Sequence, residues 1–217
     1  MNGLEPITEA IRVDFTDKTA ARDAAIGRSR ELIRHCAEAI RATHRREWEG
    51  AAAKLAVAQA SAGELRAVVE GYADLYYSGY LQDALKELAE AFITYAIVRA
   101  EPLPTPKALD VPSAAYLNGL AEAATELRRF ILDILRREDA GEPAALAEAE
   151  RLLGWMDAIY DELVTFDFPD VITGDLRRRT DVVRGVLERT RGDMTTTLQQ
   201  YRLHAALRRV ELRFDGS

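Results

Sequence analysis

Apolar residues recur at steps of three and four along most of the chain, β-branched residues are sparse, and no segment alternates long enough to suggest a strand. The pattern predicts an all-α protein, an antiparallel bundle of six or seven helices. A first long helix is expected from about Thr19 to Trp48 and a second from about Gly50 to Ala60. A third is expected after Ser61, with Ser61 as N-cap and Glu64 as its capping-box partner, breaking near Gly71 or Gly79 and continuing from Leu81 to Ala100. The stretch EPLPTPKALDVP reads as a stiff connector, and Pro112 or Ser113 opens the next helix, to about Glu138. Gly141 and Pro143 lead into a helix over about Ala144 to Thr165. Asp167 to Pro169 start a final section to about Arg213, with a stop and restart near Gly192. Every proline falls where a helical pattern starts or stops, so one domain over residues 1–217 is expected, with 1–18 as a flexible N-terminal segment.

Two of these helices carry acidic residues at one-turn spacing. On a 100° wheel Leu81, Ala84, Leu85, Leu88, Phe92 and Ala96 form one apolar stripe, while Asp83, Glu87, Glu90 and Thr94 gather opposite and are expected to face away from the core. In the helix after Pro112, Leu117, Leu120, Ala121, Ala124, Ile131 and Leu135 make the stripe. Ala115, Gly119, Glu122, Glu126 and Asp133 lie opposite, and the small residues there leave room for another helix or a ligand. Each pair, Glu87 with Glu90 and Glu122 with Glu126, points two carboxylates one way. Four hard oxygen donors from neighbouring helices suit Mg²⁺ or Mn²⁺ better than zinc or haem iron. A solvated helix face has the same spacing, so the pattern alone leaves both readings open. No cation at i+4 pairs off Glu87, Glu90 or Glu122, which leaves their charge to a metal ion or a remote arginine.

Composition narrows the classes. At 217 residues and 48% hydrophobic the chain can bury a core, and its single cysteine, Cys36, excludes an internal disulfide and a cysteine-based metal site. Cys36 sits inside a helix and is expected to pack. No leader-like start and no apolar run of membrane-spanning length is seen, so a soluble, cytoplasmic protein is expected. A net charge of −7 runs mildly against nucleic-acid binding, yet of the 29 lysines and arginines only Lys18, Lys54, Lys86 and Lys107 are lysine. Arginine is the better bidentate phosphate ligand, although a GC-rich coding bias produces the same skew.

At these residues the chain resembles the translin family, and within it the catalytic branch of translin-associated factor X and the archaeal translin-like proteins. Leu85-Lys86-Glu87-Leu88-Ala89-Glu90-Ala91 is similar to that branch's L-Q-E-Y-V-E-A, and Tyr116 to Leu127 is similar to Y-L-x-G-V-A-D-x-x-x-E-L, preceded by Val111-Pro112. Thr43-His44-Arg45, Tyr160-Asp161 and the run from Asp181 to Asp193 add to a resemblance spanning about Asp23 to Leu207. It implies a translin-like helical bundle assembling into a hollow homo-oligomer, an octamer, and a hydrolase of single-stranded RNA. On that resemblance the chain is a metal-dependent endoribonuclease with Glu87, Glu90, Glu122 and Glu126 as catalytic acids and metal ligands and Mg or Mn as cofactor. Glu122 departs from the family, which often has aspartate there, and one extra methylene moves a carboxylate by about an ångström.

Contacts to a strand, single-stranded RNA or DNA, are expected from Arg30, Arg34, Arg41 and Arg45, a stripe on the first helix interrupted by Glu38; solvated arginines would look the same. Arg177, Arg184 and Arg191 also align, but Asp181 and Glu188 sit at i+4 from the first two, so a salt-bridged surface or a subunit contact is expected there. Tyr76, Tyr77 and Tyr80 suit base stacking or helix packing. His35, His44 and His204 have no mutual metal-ligand spacing, and His44 beside the arginines could meet phosphate. Two alternatives stand: a non-cutting translin-like binder, and an all-α nucleoside triphosphate pyrophosphohydrolase, whose second acidic pair has a three-residue step where this chain has four.

Overall fold

The computed structural model describes residues 3–137 and 141–214, and among them every regular element is a helix. In chain order these are α1 Leu4–His44, α2 Trp48–Val68, α3 Ala73–Tyr76, α4 Gly79–Arg99, α5 Pro106–Leu109, α6 Ser113–Leu135, α7 Pro143–Leu163, α8 Asp170–Thr173 and α9 Leu176–Phe214. Six are long and three are single turns. Helix α1 packs on α2 and α4, α4 on α6, and α6 on α7 and α9, so α4 and α6 form the middle of the bundle.

Several boundaries differ from the sequence pattern for identifiable reasons. Helix α1 begins at Leu4, and its first turns stand clear of the bundle with Leu4, Ile7, Ile11 and Phe15 exposed. It ends where Arg46 takes a left-handed φ of 58°. The expected break at Ser61 is absent: α2 runs through it because alanine-rich sequence favours helix on both sides, Ser61 is buried, and Glu64 pairs with Arg28 at 2.7 Å instead of capping. Gly71 (φ 88°) and the short α3 make the break before α4, which starts at Gly79. Helix α6 ends at Leu135, and Glu138 lies outside the described residues. Helix α9 continues through Gly192, where the roughly 1 kcal/mol cost of a helical glycine is offset by ties on both sides. Arg128 of α6 donates to Thr190 at 3.0 Å and to Asp193 at 2.7 Å, and Arg191 pairs with Asp157 of α7.

The proline-rich connector is fastened by Tyr116, whose hydroxyl donates to the Pro104 carbonyl at 2.8 Å. At the end of α4, Arg151 donates to the carbonyls of Ile97 (2.8 Å) and Val98 (3.3 Å), in the last turn where helix carbonyls lack their usual i+4 donors.

Helix α4 is buried on nearly every side. The acidic face, expected to look outward, is covered by α6: Glu90 and Thr94 are buried, Glu87 is half-buried, and only Asp83 is exposed. The space beside Gly119 is filled by a helix. A Cβ there would lie 2.7 Å from the Lys86 carbonyl oxygen, 2.8 Å from the Ala89 Cβ and 2.9 Å from the Glu90 nitrogen. Two of those atoms are backbone and cannot turn aside. Gly119→Ala is therefore expected to destabilise the protein by about 1–3 kcal/mol, even though alanine gains ~1 kcal/mol in helix propensity. Urea denaturation measures it, and unchanged or increased stability would contradict the close contact.

Candidate metal centre

The approach of α4 and α6 at Gly119 brings their carboxylates together. Glu87, Glu90 and Glu122 each place one oxygen so that all three lie within 4.8 Å of one another, an arrangement that can hold a metal ion. Oxygens around a hexacoordinate Mg²⁺ are about 3–4 Å apart at metal–oxygen distances of 2.0–2.1 Å, so small side-chain rotations would suffice. The donors are all hard carboxylate oxygens, and Glu87 and Glu122 keep 22% and 25% of their side-chain surface, enough for a hydrated ion to enter. A cavity of about 270 Å³ lined by Glu90, Ala121, Glu122, Thr125 and Arg179 opens onto the cluster. By charge and donor type the residues fit a divalent cation.

Glu126 sits one turn further along α6 and is held apart from these three by His44, whose Nε2 lies 2.6 Å from Glu126 Oε2. The His44 ring stacks on Phe130 at 4.0 Å and 15°, with only 3% of its side chain exposed, and its Nδ1 has no partner among the described residues. Glu126 remains near enough for its charge to act on Glu90.

Cations not anticipated from the local pattern complete the centre. The Lys86 ammonium donates to Glu87 Oε1 at 2.8 Å and to Glu122 Oε2, with Asp83 Oδ1 at 3.3 Å, and Arg179 of α9 pairs with Glu122. Lys86 was visible three residues after Asp83 and next to Glu87. His44 was expected beside phosphate and a remote arginine was expected for the glutamates, but the pairings His44–Glu126 and Arg179–Glu122 arise only through the packing of distant segments.

Even so the centre has more negative than positive charge. Burial, reinforced by Glu87 and Glu126 and opposed by Lys86 and Arg179, pushes the Glu90 carboxyl up to about 8. Cys36 of α1 lies behind the same cluster: burial, then the charges of Glu87 and Glu90, pushes its thiol far up, so it packs as an unreactive apolar group.

Arg30, Arg34 and Arg41 on α1 and Arg45 just past its end are all exposed. On the wheel they lie about 120–180° from Cys36, so the stripe is on the far side of α1 from its own carboxylates. Arg45 is tied to Glu47 (2.7 and 2.8 Å), while Arg30, Arg34 and Arg41 form no ion pair among the described residues. Among the described residues, of the two i+4 pairs expected on that face, Arg184–Glu188 forms at 3.1 Å and Arg177–Asp181 does not, while Arg191 pairs with Asp157 of α7. Tyr76 and Tyr77 meet edge to face at 4.9 Å, with Tyr77 largely exposed, and the Tyr80 hydroxyl is buried.

No family model matches the chain. An uncharacterized protein of Methanocaldococcus jannaschii is 31% identical over 203 residues, covering 91% of this chain and 86% of that protein. Among solved structures, AfC3PO has 32% identity and a TM-score of 0.73, covering 88% of this chain and 96% of its own. AfC3PO in complex with duplex RNA gives 0.72 over 88% and 95%. NeC3PO in its apo form gives 0.75 over 91% and 98% at 17% identity, a likeness of fold. The chain belongs to the translin family, the family of the C3PO proteins. Among the described residues, no helix is long and apolar enough to cross a membrane.

Glu90 allows a test of the centre's electrostatics. Its folded-state pKa is raised, so between about 4.5 and about 8 the folded protein holds a proton that the unfolded chain has lost, and stability falls as pH rises through that window. Glu90→Gln removes this burden. The EDTA-treated variant is expected to melt higher than the wild type at pH 8, by about 2–4 °C for each kcal/mol regained, with the gain shrinking toward pH 4.5. A lower melting temperature at pH 8 would show that Glu90 is not a burdened acid.

Proposed function

We propose that this protein is a metal-dependent endoribonuclease acting on single-stranded RNA, with Mg²⁺ or Mn²⁺ held by Glu87, Glu90 and Glu122. The observation that carries this reading is the convergence of three carboxylates from α4 and α6 in a chain of the translin family. AfC3PO has been captured with duplex RNA, which supports RNA as the class of partner. Membership of this family supports this reading over the pyrophosphohydrolase alternative.

A bound divalent ion would polarise a phosphodiester and lower the pKa of a coordinated water. The chain's own groups then have separable tasks. Glu87, Glu90 and Glu122 supply the ligands. Glu126, outside that trio and held at fixed reach by His44, takes the proton of the attacking water as its oxygen adds to phosphorus and the bond to the leaving ribose oxygen breaks. Arg179 at the cluster's edge draws the phosphate in.

Strand binding uses Arg30, Arg34, Arg41 and Arg45. Because the stripe lies behind the chain's own centre, it serves as an entry surface or the site of a neighbouring copy. A homo-oligomer, an octamer by family resemblance, would cover the exposed apolar residues of the free first turns of α1, of the α7–α8 connection (Phe168) and of α8 (Val171 and Ile172). The place of action is the cytoplasm.

Labelled single-stranded RNA should be cut by the purified protein with Mg²⁺ or Mn²⁺ and remain intact with EDTA. Glu87→Ala and Glu126→Ala should abolish cleavage without changing the fold or assembly, and Glu122→Asp should retain it. Cleavage that survives both alanine changes would remove the proposed site; tight RNA binding with no metal-dependent products would leave a non-cutting binder. Light scattering should give a mass several times that of one chain, and a monomer would contradict assembly. Replacing Arg34 and Arg41 by alanine should weaken RNA binding and reduce its salt dependence; unchanged affinity would assign those arginines to solvent.

A further inference from the structure

Lys86 is unusual for a lysine: it is 6% exposed and lies in the middle of the bundle. Its ammonium is bound by Asp83, Glu87 and Glu122 together. An ammonium is strongly hydrated and its four-carbon stem loses rotamer freedom on burial, so it stays there only because carboxylates replace its water. Two of those carboxylates, Glu87 and Glu122, belong to the trio that can hold a metal ion. The ammonium and a divalent cation therefore need the same acceptors.

We propose that Lys86 is an exchangeable counter-ion: in the metal-free protein its ammonium neutralises the Glu87–Glu122 pair across α4 and α6, and an entering divalent cation displaces it. The inference rests on the metal-centre reading and adds to it an internal competitor. Displacement has a route, since Lys86 lines a cavity of about 680 Å³ together with Gln82, Asp83, Ser113, Asn118 and Arg179. It also has a destination. Asp83, one turn back on the same helix and 51% exposed, already lies 3.3 Å from the ammonium and can retain it after Glu87 and Glu122 turn to the ion. A flexible lysine stem makes this swing without moving the backbone. The exchange holds the acidic helices together when metal is absent and lowers metal affinity by the cost of the displacement. It also moves a positive charge to the rim of the centre when metal is present.

The test is Mn²⁺ binding to the full-length, RNA-free protein by isothermal titration calorimetry, with the Mn²⁺-induced rise in melting temperature as a second reading. Lys86→Gln is expected to bind Mn²⁺ about tenfold more tightly than the wild type, because no unit charge has to leave the site. Lys86→Arg, which keeps the charge, should not tighten binding. The metal-free Lys86→Gln protein should melt lower than the wild type and gain more from Mn²⁺. Lys86→Met, which keeps the apolar stem, covers the case in which glutamine prevents folding. Unchanged or weaker Mn²⁺ binding in Lys86→Gln and Lys86→Met would overturn the proposal. Glu87→Gln separates the two levels: if it abolishes binding while the Lys86 variants bind like the wild type, only the counter-ion role falls. If Glu87→Gln binds Mn²⁺ as the wild type does, the metal centre and the counter-ion fall together.

Discussion

Where α6 crosses α4, the backbone of Gly119 rests against the Lys86 carbonyl and the Glu90 nitrogen, closer than any side chain would permit. That approach sets the rest of the centre. Two helices at an ordinary separation of 8–10 Å present their acidic rows to different patches of water. Drawn together by a missing Cβ, Glu87 and Glu90 on one and Glu122 on the other share a volume small enough for a single ion. The same contact explains why charged residues are buried in the middle of the bundle: α6 covers the acidic face of α4, and Glu90 and Lys86 are enclosed with it.

Enclosure of carboxylates costs free energy, and the structure manages that cost without removing it. Lys86 and Arg179 neutralise Glu87 and Glu122, His44 engages Glu126, and Glu90 is left to hold its proton well above the usual carboxylate range. A site built for packing alone would place apolar groups there, since buried ionic clusters seldom surpass a hydrophobic core of equal volume. Retaining five acidic groups around two helices makes physical sense when a cation of higher charge is to be received. The apolar layers on either side, with Leu85, Leu88, Ile93 and Leu127 fully buried, provide the stability against which that local cost is set.

Much of this was legible in the chain itself. The three- and four-residue periodicity identified the helices, the proline connector fixed the turn into α6, and one-turn spacing singled out the three glutamates that converge, together with Glu126, which lies apart on His44. Local pattern misled where packing overruled it. Ser61 and Gly192 carry signals that end helices elsewhere, yet α2 and α9 pass through both because neighbouring helices hold them. A helical wheel ranks faces by polarity, so it turned the acidic side of α4 toward water, whereas shape complementarity at Gly119 turned it toward α6. Partners separated by 82 residues, as His44 and Glu126 are, leave nothing in a single sequence to connect them. The arginines of α1 were recognisable as a stripe, but which side of the helix faced the centre depended on where Cys36 packs.

On the function proposed above, α4 and α6 are held this close to share a divalent cation. Crystals grown with Mn²⁺ and measured at a wavelength sensitive to manganese test it most directly. One anomalous peak is expected between the helices, about 2.0–2.3 Å from oxygens of Glu87, Glu90 and Glu122, with the Lys86 ammonium withdrawn from Glu122. Saturating Mn²⁺ with no peak there, and Lys86 still bridging Glu87 and Glu122, would contradict it.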